Sequence, residues 1–301
     1  MTTAAQPHLA TPTERIGASA LRSAIDDALA SFCDELQLPA ALHDVGRYVL
    51  LSPGKRVRGI LCLNVANASG LTADDTMASA VAVEAVHAAS LVLDDLPAMD
   101  NSVLRRGQPS AHCAFDEARA VLVAIALLNG AYGHLARHAS DDRAAVAYLA
   151  RAVGGTGLVG GQIHDLYPGE QQDLSDVETT HGAKTGALFA AALALGGRNC
   201  SAPDRELLWA AGYELGVAFQ GYDDLLDHYA VSDVIGKETG ADATKTTVAS
   251  LLSRAQAEAW CAAKIAEAEQ MMQTVLGGGH ALQDYVEAMH RQLTAPLRVK
   301  L

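Results

Sequence analysis

Two acidic clusters, Asp94-Asp95-Leu96-Pro97-Ala98-Met99-Asp100 and Asp223-Asp224-Leu225-Leu226-Asp227, stand inside apolar, helix-like stretches of a chain in which only 19% of residues are charged. Carboxylates crowded in this way repel one another and resist desolvation, so a cleft can hold them only if cations neutralise them. The clusters therefore read as two facing metal clamps, and the divalent cation best suited to oxygen ligands beside a phosphate is Mg²⁺. Any fold for this chain has to bring two distant helices to one shared cavity.

The helical period supports such a fold. Through residues 73–93 the sequence is mostly Ala, Val and Leu, with Glu84, His87 and Asp94 at intervals of three and seven. A separation of seven returns a side chain to nearly the same direction, so these three share a helix face. Pro97 ends or kinks that helix and lets Asp100 swing back toward Asp94. A second long helix is predicted over 201–229, with Ser201 as cap and Pro203 in its first turn. On it Gly212, Gly216, Gln220 and Asp224 form a stripe, with Asp223 and Asp227 one turn apart beside it. The two glycines are read as close helix packing.

Further helices are expected over 15–36, 41–51, 57–68, 117–137, 143–166, 174–195, 248–276 and 281–293. Loops fall at Ser52-Pro53-Gly54, Tyr167-Pro168-Gly169 and Gly277-Gly278-Gly279. No repeat or low-complexity linker divides the chain. The expected fold is all-α, a single large helical bundle around a central active-site cavity, with residues 1–14 a flexible arm and 15–301 one domain.

Composition narrows the function. A chain of 301 residues that is 50% hydrophobic can bury a large core, and 5% aromatics with abundant alanine favours close-packed helices. A net charge of -13 excludes a nucleic-acid partner that reads a basic face. Cys33, Cys62, Cys113, Cys200 and Cys261 show neither close pairing nor zinc spacing and read as reduced thiols of a cytoplasmic protein. No N-terminal secretory signal, membrane anchor or apolar run of bilayer length is expected. His112 and His164 lack a second histidine at ligand spacing and read as ordinary polar residues.

Positive charge is scarce, and its placement follows the acids and the glycine turns. Lys55-Arg56-Val57-Arg58 opens a helix after Ser52-Pro53-Gly54, Arg105-Arg106-Gly107 trails the first cluster, Lys184-Thr185-Gly186 lies mid-chain, and Lys237 and Lys245 follow the second cluster. Taken with two acidic clusters, these sets describe a site for two diphosphates, one held through Mg²⁺ and one held directly by Lys, Arg and His.

The ordered motifs, Pro53-Gly54-Lys55-Arg56-Val57-Arg58, His87 through Asn101 running into Leu104-Arg105-Arg106-Gly107, Gly161-Gln162 with Asp165, Lys184-Thr185-Gly186, and Phe219-Gln220-Gly221-Tyr222-Asp223-Asp224-Leu225-Leu226-Asp227, resemble the trans-isoprenyl diphosphate synthases. Within that family the likeness is greatest to the short-chain geranylgeranyl diphosphate synthases of carotenoid pathways. The resemblance implies the isoprenoid synthase fold and a prenyltransferase that condenses isopentenyl diphosphate with allylic diphosphates head to tail, by ionisation, condensation and elimination. It implies that Asp94, Asp95, Asp100, Asp223, Asp224 and Asp227 bind three Mg²⁺ ions around the allylic diphosphate. Arg105, Lys184, Thr185, Gln220, Lys237 and Lys245 would contact that group. Lys55, Arg58, His87 and Arg106 would hold isopentenyl diphosphate, and the enzyme would be a homodimer.

Family members that stop at farnesyl diphosphate carry a bulky aromatic four or five residues before the first aspartate. Here Ser90 and Ala89 stand there, so the expected main product is geranylgeranyl diphosphate, C20, with a C15 or longer product as the alternative. The chain departs from the family at Gly59, where proline is usual, at Leu93 and at Ser102. A terpene cyclase, a non-catalytic subunit of a heteromeric synthase and an unrelated Mg²⁺-dependent hydrolase are the rival functions. The cyclase has no use for Lys55, Arg58, His87 and Arg106, and the subunit commonly lacks one acidic cluster.

Overall fold

In a computed structural model of the protein, residues 17–139, 142–169, 172–229, 245–278 and 281–298 are described. The expected arm, residues 1–14, and Lys237 lie outside them. The elements in chain order are α1 (Ala18–Glu35), α2 (Ala40–Leu50), α3 (Val57–Ala68), α4 (Ala73–Asp94), a hairpin of β1 (Leu104–Arg105) and β2 (Gln108–Pro109), α5 (Ala111–Ala114) and α6 (Glu117–His138). There follow α7 (Asp142–Val153), α8 (Leu158–Leu166), α9 (Leu174–His181), α10 (Ala187–Gly196), α11 (Ala202–Tyr229), α12 (Val248–Leu251), α13 (Arg254–Leu276) and α14 (Ala281–Thr294).

The centre of the bundle is α10. Every residue from Ala187 to Gly196 is buried, as expected of a helix that is apolar all round. It packs between α11 and α3, α11 lies along α13, and α4 sits between α3 and α6. Gly212 and Gly216 are packing residues, since a Cβ on Gly212 would meet the Phe189 carbonyl oxygen at 2.5 Å and one on Gly216 would meet Gly186 Cα at 2.3 Å. One apolar core runs from Leu21 and Ile25 on α1 to Val286 and Leu293 on α14. The fold is the all-α bundle expected from the periodicity.

The structure corrects three boundaries and one exclusion. The stretch 143–166 is two helices, parted at Gly154-Gly155-Thr156-Gly157. The stretch 248–276 is also two, because Ser253 and Gln256 form a capping box that starts α13 afresh. Residues 174–195 run through a π-helical turn, Gly182–Gly186, rather than a regular helix. The expectation of no membrane-length apolar run fails by length and composition: α4 and α6, each 22 residues, are long and apolar enough to cross a bilayer. Both are bundle helices, and two thirds of the apolar stretch of α4 is buried inside the protein.

Candidate active site

At the first cluster α4 stops at Asp94, and the chain folds back on itself. The Asp100 amide donates to the Asp94 carbonyl at 2.9 Å, Asn101 N–H to Leu96 O at 3.0 Å and Ser102 N–H to Asp95 O at 3.1 Å. Asp100 thus returns to the end of α4, as Pro97 predicts. Asp94 and Asp95 then face different surroundings. Asp95 is buried, and Arg105 Nε donates to its two carboxylate oxygens at 3.0 and 3.2 Å, with Nη2 adding a further bond. Burial pushes the Asp94 carboxyl up to about 6; Lys184 and Arg105 oppose the shift, while Asp100 and Asp95 add to it. A divalent cation beside Asp94 would reverse that shift.

The hairpin delivers two arginines to two places. Arg106 and Gly107 both have positive φ, 55° and 78°, which makes a tight two-residue turn between Arg105 and Gln108. Arg105 goes to Asp95, whereas Arg106 Nη1 donates to Pro53 O at 3.0 Å.

At the second cluster, on the last turns of α11, Asp224 is buried, accepts from the Val248 amide at 3.1 Å and lies 3.3 Å from His181 Nε2. Burial drives His181 down to about 4, against the pull of Asp165, so a neutral imidazole faces Asp224 at neutral pH. Gln220 accepts from the Thr185 hydroxyl at 3.0 Å. Asp165 on α8 gathers the lysines: Lys184 Nζ and Lys245 Nζ donate to its Oδ2 at 2.7 and 2.8 Å.

Two direct contacts and two longer-range electrostatic interactions couple the two clusters. Lys184 acts electrostatically on Asp94 and bonds Asp165, Asp165 acts on His181, and His181 touches Asp224. The π turn carrying Lys184 and Thr185 allows this, because its wider winding re-aims side chains in the middle of a buried helix. Gly161 lets α8 approach it, since a Cβ there would meet Lys184 N at 2.2 Å. Gly182 makes the matching room for the Tyr213 ring of α11, at 2.0 Å from such a Cβ.

Beside the Asp95–Arg105 pair a cleft opens between α2, α4 and the hairpin. His87, Arg105, Arg106, Arg56 and Glu84 are in its wall. Burial, then Arg58, Arg106, Arg56 and Arg105, hold the His87 imidazole well below its usual range, so it is neutral among guanidinium groups. Arg58 lies outside that wall, with its guanidinium carbon 4.6 Å from the centroid of the Phe189 ring. Burial lowers it to about 10 despite Glu84, and its Nε is buried without a hydrogen-bond partner. Lys55 is exposed.

Sequence reasoning gave several residues of this region no role. Arg56 is the buried arginine of the Lys55–Arg58 set, with left-handed backbone at φ 50°. Asp26, at 2.7 Å, and the carbonyls of Leu50 and Ser52 hold its guanidinium. A non-glycine residue keeps that conformation only when its surroundings impose it. Glu84 accepts the Gly59 amide at 2.8 Å, a bond that the proline usual at that position could not donate. Asp165 was quoted within a motif but given no role, and His181 carried no signal.

Among the candidate chain-length residues, Ala89 is fully buried. Ser90 is half-buried, and its hydroxyl donates to His87 O at 3.0 Å.

The chain is similar to known proteins over most of its length. Residues 39–289 match the polyprenyl synthetase family. The chain is 36% identical to the farnesyl diphosphate synthase of Bacillus subtilis over 273 residues, 87% of this chain and 90% of that protein. It is 37% identical to the geranylgeranyl diphosphate synthase of Pantoea ananas over 248 residues, 79% and 81% of the two chains. The crystal structure of an FPP/GFPP synthase from Zymomonas mobilis superposes with a TM-score of 0.75 at 30% identity, covering 92% of this chain and 99% of that one. A helical bundle with two acid clusters coupled through Lys184 and Asp165, matched over most of its length in sequence and in shape, places this chain in the polyprenyl synthetase family.

Proposed function

We propose that the protein is a Mg²⁺-dependent prenyltransferase that extends an allylic diphosphate with isopentenyl diphosphate, with geranylgeranyl diphosphate as main product. The observation that supports this reading is the coupled set Asp94, Lys184, Asp165, His181 and Asp224, which relates the two acid clusters through Lys184 and Asp165. The donor set fits Mg²⁺: it offers carboxylate oxygens only, and burial pushes Asp94 up to about 6, a cost that a divalent cation would offset. Asp94, Asp100, Asp223 and Asp227 would hold three ions, with Asp95 and Asp224 positioning the clamps through Arg105 and through Val248 and His181. When bound, the ions stabilise negative charge on the departing diphosphate.

The chain's own groups do the rest. Lys184 and Lys245, gathered by Asp165, together with Thr185, Gln220 and Arg105, meet the allylic diphosphate as its carbon–oxygen bond breaks. Arg106, neutral His87, Lys55 and Arg58 hold isopentenyl diphosphate, whose double bond attacks the allylic cation. The orphaned Arg58 Nε supports an anion at that position. The proton leaves to the diphosphate, so no strong protein base need stand beside the cation. The buried walls exclude water that would quench it.

Product length rests on Ser90, the more open of the two residues before Asp94, where no aromatic closes the channel. A homodimer is supported by α6, which exposes Leu122 and Ile125 at 53% and 55%. A reducing cytoplasm suits five free cysteines, and a carotenoid-type pathway suits a C20 product.

The test is product analysis with Mg²⁺, labelled isopentenyl diphosphate and dimethylallyl, geranyl or farnesyl diphosphate. A dominant C20 alcohol after dephosphorylation is expected, shifting to C15 in Ser90→Phe. A C15 stop in the unaltered protein overturns the channel reading, and no elongation from any starter overturns the chemistry.

A further inference from the structure

Away from both acid clusters, the last residue of α1 meets the last turns of α6. Glu35 Oε2 lies 2.8 Å from His134 Nδ1, and Glu35 Oε1 lies 3.3 Å from His138 Nε2. The donor atoms of these three residues all fall within 4.8 Å of one another, the sole such group among the described residues. None belongs to a motif used above.

We propose that Glu35, His134 and His138 form a binding site for a divalent transition-metal ion of the Zn²⁺ class, which pins the end of α1 to α6. Two histidines four apart on one helix present their rings to a common point, and a carboxylate from a second helix completes a three-ligand set that leaves one position open. Two imidazoles select a borderline metal over Mg²⁺ or Ca²⁺, which prefer oxygen.

The surroundings also orient the ligands. The His134 ring packs edge-on against Phe32 at 5.2 Å between centroids and lies 4.7 Å from the His138 ring. Arg137 is the competitor, with Nε donating to Glu35 Oε1 at 2.9 Å. Its side chain is 53% exposed, so it can release Glu35 to a metal and return to water at small cost. The guanidinium and the metal ion are then alternative partners of one carboxylate.

The experiment uses the metal-free full-length protein with Zn²⁺ for affinity and thermal stability, and Co²⁺ for its visible spectrum. The unaltered chain should bind Zn²⁺ with a rise in Tm and give the intense visible bands of four-coordinate Co²⁺. His138→Ala, a change at an exposed position, should lose those bands and weaken Zn²⁺ binding by more than about tenfold. Arg137→Ala should tighten it, because Glu35 loses its rival. The oxygen-only acid clusters give Co²⁺ weak six-coordinate spectra and are common to all variants, so they do not imitate the result. Identical Zn²⁺ isotherms and Co²⁺ spectra for the unaltered chain, His138→Ala and Arg137→Ala would overturn the proposal and leave a salt-bridge network only.

Discussion

The two acid clusters are written in the same residues and secured by opposite means. In the first, Asp95 is buried and its partner is Arg105, a side chain 34% exposed at the tip of a hairpin. In the second, Asp224 is buried and accepts from a backbone amide, Val248 N–H, and from the Gln220 side-chain amide at 3.4 Å, beside the neutral His181. A guanidinium can exchange a carboxylate for a phosphate, whereas an amide fixed in another helix cannot. On the proposed reading, the first clamp can therefore rearrange around substrate while the second stays in place.

The largest effect expected is common to both. Asp94→Ala and Asp223→Ala should each lower kcat by about a hundredfold or more, since each removes charge that balances the ions at the leaving group. Circular dichroism should remain unchanged. Normal turnover in either variant would break the two-clamp reading.

The next effect separates the clamps. Asp224→Ala strands the buried Val248 amide and should cost about 1–3 kcal/mol in denaturant unfolding. Asp95→Ala frees an arginine that can reach water, so its cost should be smaller, about 1 kcal/mol or less. Equal losses would remove the distinction between a fixed and a movable clamp. Arg105→Ala should sharpen it, raising KM for the allylic diphosphate several-fold, about the size of one charge-assisted contact, with no change in KM for isopentenyl diphosphate.

The same contrast explains what the sequence made legible. Some features written in local sequence are read correctly: α3 begins and ends as expected at Val57 and Ala68, and the return of Asp100 follows from Pro97. Features that depend on partners distant in sequence are not. The hairpin has an Arg-Gly turn where Asn-Gly would have announced it, and its Arg106 takes positive φ. The π turn at Gly182–Gly186 is packed closely by Tyr213 and Gly161 from other helices. Asp165, His181 and Arg56 take acidic or basic partners from distant parts of the chain, Lys184 and Lys245 for Asp165, Asp224 for His181 and Asp26 for Arg56. One miss was avoidable, for Ser253 and Gln256 spell a capping box in the sequence itself.

The smallest effect, and the one that tests the first clamp alone, is on pH dependence. Burial, with Asp100 and Asp95 adding and Lys184 opposing, raises Asp94 from an ordinary value of 3.8 to about 6. The folded metal-free protein therefore binds more protons than the unfolded chain between those values. Its stability from this group falls as pH rises through that window, and the cost is fully present above about 6. Asp165 works the other way. Although burial raises it, Lys184 and Lys245 hold it below the ordinary value, so its contribution is present above 3.8 and is lost as pH falls further. Mg²⁺ needs Asp94 ionised, so Mg²⁺ affinity should fall by up to about tenfold per pH unit below about 6. Calorimetric titrations from pH 5 to 8 on the unaltered chain, Asp94→Asn and Asp223→Asn measure this. Loss of the pH dependence in Asp94→Asn with retention in Asp223→Asn would assign it to the movable clamp. Its survival in Asp94→Asn would mean that another carboxylate governs metal entry.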